Sequence, residues 1–286
     1  MYHELSPETA EFIDFMQDNE LFDVESRPGK MSGGYMTSLP TYKAPFIFAN
    51  WNNTSADVDV LTHECGHAFE GYVAERDPKV PADLECPGME SAEIHSMAME
   101  FLTAPWHHLL FGRDTDKYAL LHAEDSFVFL AYGCEVDEFQ HIVYEKPEMT
   151  PAERKAVWAG LEKVYRPHMD YEEDPFFGQG GFWQKQPHIF GSPFYYIDYC
   201  LASVCAMQFK VMMDEDFEKA LHAYKKMHEE FPDMILCASH GFVSEEKLKQ
   251  LKEAGVPAEL VRISLGLEDK EDLIADISQA LDAIAE

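Results

Sequence analysis

Apolar residues recur with a helical period over most of the chain. Between Ser6 and about Asp18, Phe12, Phe15 and Met16 line one side, Ser6 stands where a cap is wanted and Pro7 takes the first helical position, so a helix is predicted there. From Asp114 to about Tyr144 the pattern is that of one long amphipathic helix, and Thr150-Pro151 starts another that runs through Val164. The segments MESAEIHSMAMEFLTAPWHHLLF, beginning at Met89, and PFYYIDYCLASVCAMQF, beginning at Pro193, also keep helical spacing. Two short stretches depart from it. Tyr35 to Leu39 and Ala44 to Ala49 read as strands, and Pro45 argues that the second lies on an edge, because proline donates nothing to a ladder. Glycine and proline mark loops at 26–34, 77–88 and 174–187, and short helices are expected from Asp216 to the end. The expectation is a mainly α fold, one helical domain over residues 1–286, with a small β-hairpin or edge strand beside a central helix.

That central helix carries the chemistry. Asn53, Thr54 and Ser55 offer N-cap chemistry, no proline intervenes before Pro78, and a helix of about four to five turns results. Within it lies LTHECGHAFEG, Leu61 to Gly71. His63 and His67, four apart, share a helix face and can grip one metal ion, with Glu64 one step round beside the open coordination position. The longer zincin pattern, with a glycine three residues and a histidine six residues after the second histidine, fails, because Glu70 and Val73 stand there. Cys65, inside the motif, points off the histidine face.

A third ligand is expected from the helix that follows, where Glu90, Glu93 and Glu100 are the candidates. Glu93 and Glu100 share a face with Ser96 and Met97; Glu93 is favoured as the ligand and Glu100 as the carboxylate that orients a ligating histidine. Without the histidine motif these would read as glutamates on a wet face. His95, His107 and His108 are weaker candidates, since a lone helical histidine usually packs or sits at the surface. After the 174–187 loop come His188, Tyr195, Tyr196 and Tyr199. Tyrosines at this density are most often core amphiphiles, but beside a metal His188 and Tyr199 are neutral donors suited to a developing oxyanion.

Charge and composition narrow the class. With 22 basic against 53 acidic residues the formal charge is -31, which repels nucleic acid and anionic lipid, so neither partner is expected. No apolar run reaches membrane-spanning length and MYHELSPETAEF lacks a leader pattern, so the expected location is cytoplasmic. The six cysteines form no C-x-x-C pair and read as reduced thiols.

HECGHAFEGY, then ESAEIHSMAMEFLTAPW, then HIFGSPFYYIDYCLA resemble, in that order, the catalytic half of oligoendopeptidase F and the thimet oligopeptidase group, over about residues 4 to 240. The resemblance implies a gluzincin-type helical fold with a deep channel, one zinc ion per chain and cleavage of oligopeptides within their length. It implies His63, His67 and Glu93 as zinc ligands, Glu64 as general base toward a zinc-bound water, His188 and Tyr199 as helpers of the tetrahedral intermediate, and substrate contacts from Tyr195 and Tyr196. Ala44 to Ala49, with Phe46 and Phe48, would hold the substrate main chain. Family members carry a long helical region before the histidine motif, whereas 62 residues precede His63 here, so the chain is expected to be the C-terminal part of a longer architecture. A missing N-terminal half, or self-association, would then cover an apolar face. The competing readings are a zinc carboxypeptidase, for which Lys185 is the only nearby cation for a free C-terminus, and a non-catalytic helical module with structural zinc.

Overall fold

The computed structural model describes residues 1–76 and 88–229. Its elements in chain order are α1 (Tyr2–Leu5), α2 (Pro7–Asp18), β1 (Phe22–Asp23), β2 (Tyr35–Leu39), β3 (Ala44–Phe48), α3 (Ala56–Ala74), α4 (Met89–Leu102), α5 (His108–Phe111), α6 (Thr115–Glu145), α7 (Pro151–Tyr165), α8 (His188–Gly191), α9 (Tyr196–Glu215) and α10 (Phe217–Glu229). The mainly helical fold with a small sheet is as expected, and α1 is an addition to it. The helices expected beyond Glu229, and most of the 77–88 connection, lie outside the described residues.

Local chemistry sets most boundaries. Ser6 and Thr9 form a reciprocal capping box at α2, Thr9 N–H donating to Ser6 Oγ at 3.2 Å, and Thr150 and Glu153 do the same at α7. The start of α3 is capped differently from the expectation. Ser55 is the N-cap but makes no side-chain cap bond; instead the Asp57 carboxylate accepts from the backbone N–H groups of Asn52, Asn53 and Thr54. The helical pattern from Met89 to Phe111 is interrupted after Leu102, because Pro105 lacks the N–H that a continuing helix needs. A 3-10 turn and the short α5 carry the chain onward.

The sheet has the order β1-β3-β2, so the strand expected at the edge is the central one. β2 pairs with it as an antiparallel hairpin, and β1 pairs with it in parallel only at Ile47 and Phe48. Ile47 and Ala49 donate toward β1, so by alternation the Pro45 nitrogen points to that same side, short of where β1 begins. Proline therefore removes no bond, and the exposed edge belongs to β2.

α4 lies between α3 and α9, with α10 against all three, the sheet on α3, and α6 and α7 layered beyond α9. One core joins Phe12, Met16, Ile47, Phe69, Met99 and Phe209; a second, around Phe139 and Trp158, sits between α6 and α7 and the loop after α7. Close approach decides the first. A Cβ added at Gly66 would lie 2.6 Å from both His95 O and Ser96 Cα, so α3 and α4 touch backbone to backbone there. Leu120, Phe127, Leu201, Val204 and Val211 are exposed on α6 and α9. The four described cysteines, Cys65, Cys134, Cys200 and Cys205, are free thiols. Among the described residues no helix is long and apolar enough to cross a membrane.

Gly66→Ala must push α3 from α4 and is expected to cost about 1–3 kcal/mol. Gly160→Ala, on an exposed stretch of α7 with open space around it, should instead stabilise by about 0.5–1 kcal/mol. Urea unfolding of the two variants reads both signs, and a neutral Gly66→Ala would refute the contact.

Candidate metal and catalytic centre

The helical period puts His63 and His67 on one face of α3, their ring centroids 5.0 Å apart. The Gly66 contact lowers α4 onto that face. Glu93 Oε2 then stands 3.2 Å from His63 Nε2 and 3.3 Å from His67 Nε2, and Glu93 is 2% exposed. Glu100, two turns along α4, reaches His63 from the other side, its Oε1 lying 2.8 Å from Nδ1. Burial works against a charge on Glu100, yet hydrogen bonds from His122 and His63 hold its carboxyl below the ordinary value. A carboxylate only accepts, so a His63 proton sits on Nδ1. Burial works against a charge on the ring, yet the bonds to Glu100 and Glu93 raise its pKa well above the ordinary value. Without a metal Nε2 therefore also carries a proton toward Glu93, a place that a bound cation would take over.

Two imidazole nitrogens and one carboxylate oxygen within 4.8 Å of one another are a candidate cation site by their chemistry. Two ligands each about 2.0–2.1 Å from a tetrahedral zinc ion stand about 3.3 Å apart. The His63–Glu93 and His67–Glu93 spacings match that figure, so the donors fit the metal. Among the described residues the cluster stops at these three. The Glu90 side chain lies outside the description.

Glu64 is 7% exposed and its Oε2 has no hydrogen-bond partner among the described residues. Burial raises its carboxyl above the ordinary value, against the opposing charge of His63 and His67 and a hydrogen bond from the Met36 backbone. It is a carboxylate beside the donors that is not engaged by them.

The tyrosines divide. Tyr195, at the N-cap of α9, donates its hydroxyl to Glu93 Oε1. Tyr199, one turn on, has its ring 4.9 Å from Tyr195 and 5.8 Å from His188, and its hydroxyl interacts with both Tyr195 and Glu93. Tyr196 is 8% exposed in the second core, against Phe129 and Tyr132, with its ring 5.1 Å from His188 and 5.4 Å from Tyr199. Phe46 packs on the first core and Phe48 stacks on Tyr35 at 4.9 Å, both on the strand that is flanked on two sides. β3 therefore has no free edge at these residues to pair with a substrate, contrary to the expectation.

His188 is oriented by two residues that its own position does not reveal. Tyr132 donates to Gln186 Oε1 at 2.8 Å, and the Gln186 amide nitrogen then faces His188 Nδ1 at 2.5 Å. The amide donates, so Nδ1 accepts and the ring proton sits on Nε2; burial, which lowers the His188 pKa, favours this neutral form. The signal was present only as Gln186 two residues ahead of His188. His122 was missed as well: its Nε2 lies 2.7 Å from Glu100 Oε2. No spacing rule links residues so far apart on two helices. His95, His107 and His108 lie elsewhere, against Tyr224, Thr103 and the Pro105 carbonyl.

Comparison with known proteins places most of the chain beside peptidases. The chain is 25% identical over 256 residues to the chromosomal oligoendopeptidase F of Lactococcus lactis subsp. cremoris, covering 85% of this chain and 38% of that one. The structure of Pz peptidase A with an inhibitor superposes with a TM-score of 0.80 at 45% identity, over 89% of this chain and 46% of that one. The chain thus spans less than half the length of these relatives. A stretch of 47 residues is 53% identical to biotin synthase of Clostridium beijerinckii, 16% of this chain and 15% of that protein. Residues 234–282, outside the described part, match the model for Cys/Met metabolism PLP-dependent enzymes. Residues 13–230, which include every side chain of the centre, match the model for Peptidase family M3, and the chain belongs to that family.

Proposed function

We propose that the chain carries the active site of a zinc-dependent endopeptidase that hydrolyses short peptides. The observation that carries the reading is the convergence of His63 Nε2, His67 Nε2 and Glu93 Oε2 within 4.8 Å of one another, a donor set that suits a divalent cation. A zinc ion held there supplies a Lewis acid that makes water nucleophilic near neutral pH. A cluster of three protein donors supports a catalytic centre, since structural zinc sites fill four positions with protein ligands.

This chain's own residues perform the rest. Glu64, buried and with a free oxygen, takes the proton from the attacking water and delivers it to the leaving amine nitrogen. His188, with its proton on Nε2, and the Tyr199 hydroxyl donate to the oxygen of the scissile carbonyl as it becomes negative. Tyr195 is engaged with Glu93 and orients that ligand. The substrate main chain pairs with β2, whose outward groups at Met36 and Ser38 lie on the edge that faces Glu64.

About one zinc per chain is expected by metal analysis, and a His63→Ala, His67→Ala double variant should retain none. Stoichiometric zinc in that variant would remove the assignment. Glu64→Gln should keep both zinc and fold while losing on the order of a hundredfold or more in kcat against quenched fluorescent peptides. Tyr199→Phe should lower kcat about tenfold to a hundredfold with little change in KM, because its bond strengthens as charge develops. If the zinc-loaded wild-type chain cleaves no internal peptide bond, the endopeptidase reading fails and the metal site alone stands.

A further inference from the structure

Behind His63, on the side away from Glu93, the hydrogen bonding does not end at Glu100. Each Glu100 oxygen holds one imidazole: Oε1 takes His63 Nδ1 at 2.8 Å and Oε2 takes His122 Nε2 at 2.7 Å. Glu100 and His122 are both largely buried, their side chains 15% and 11% exposed. The His122 ring is gripped by aromatic neighbours, Phe101 at 4.9 Å and Tyr118 stacked at 6.0 Å, and Tyr118 in turn donates its hydroxyl to Asp59 on α3. α6 thereby reaches α3 twice, once through Tyr118 and once through His122 and Glu100.

A carboxylate on α4 has free rotation about its terminal bond unless both oxygens are tied. With Oε2 tied to His122, Oε1 can only face His63. His122 stands on a different helix from all three donors and beside a cavity of about 210 Å³ into which Glu100 could otherwise turn. We infer that His122 is a positioning residue for the metal centre: by holding Glu100 in one orientation it fixes the tautomer and the ring angle of His63, and with them the affinity of the site for zinc. The inference rests on the metal reading above. It assigns no contact between His122 and the ion or the substrate.

The test is zinc affinity of the 286-residue chain, measured by competition with a chromophoric chelator, with thermal unfolding of the metal-free forms alongside. Replacing groups that support a metal ligand costs about 10–100-fold in affinity. His122→Ala is expected to weaken zinc binding about tenfold or more while the metal-free protein unfolds near the wild-type temperature. His122→Gln, whose amide nitrogen reaches the place of Nε2, should restore most of that affinity, and His122→Asn, one carbon shorter, should not. In a Glu100→Ala background His122→Ala should add little further loss. Wild-type affinity in His122→Ala, or losses that add fully with Glu100→Ala, would overturn the inference. Should the alanine variant fail to fold, equal affinities for the glutamine and asparagine variants would overturn it as well. If the wild-type chain binds no zinc, the metal assignment falls and takes this inference with it; a wild-type chain that binds zinc and is indifferent to residue 122 removes this inference alone.

Discussion

Everything at the centre depends on how closely α3 and α4 can approach. At Gly66 the two backbones meet with no room for a methyl group, and only at that distance does Glu93 reach both histidines of α3. Two imidazoles and an almost wholly buried carboxylate converge there, and burying such groups is costly unless each is paired. A cation bound as proposed would take the place of the histidine protons, so the packing that brings the groups together would also set the affinity of the site.

A second constraint operates on the other side of the centre. Arg166 is buried between Glu135 and Glu162, at 2.7 and 2.6 Å, and its guanidinium lies over the rings of Tyr132 and Phe182. Removing either partner of such a buried group leaves a charge unpaired, so the cluster holds α6, α7 and the following loop in one arrangement. Tyr132 belongs to it, and Tyr132 fixes Gln186, which fixes the proton on His188. An ion pair remote from the metal donors thus sets which nitrogen of His188 can donate. Of the buried carboxylates at the two sites, Glu93, Glu100, Glu135 and Glu162 are each paired with a cation or an imidazole, and Glu64 keeps an oxygen without a partner among the described residues.

The share of this that was legible in the amino-acid sequence follows the range of the forces involved. The facing of His63 and His67, the capping boxes at Ser6 and Thr150, and the breaks at glycine and proline all arise within a few residues, where backbone geometry is set by covalent structure and local hydrogen bonds. Those the sequence determined by itself. It also placed Glu93 and Glu100 on one face of one helix, so their joint presence near the histidines was readable.

Which partner each group takes was decided by the tertiary structure. Glu93 and Tyr195 are 102 residues apart, Glu100 and His122 stand on separate helices, and Tyr196 is buried in the second core while Tyr195 reaches Glu93. β3 became the central strand because a two-residue strand from the N-terminal segment paired beside it, an event that no property of Pro45 announces. The physical reason is common to all of these. The chain dictates directions along a helix or strand, but which helices meet, and at what separation, is fixed by steric fit such as that at Gly66, and a difference of one methyl group there decides whether three donors form a site.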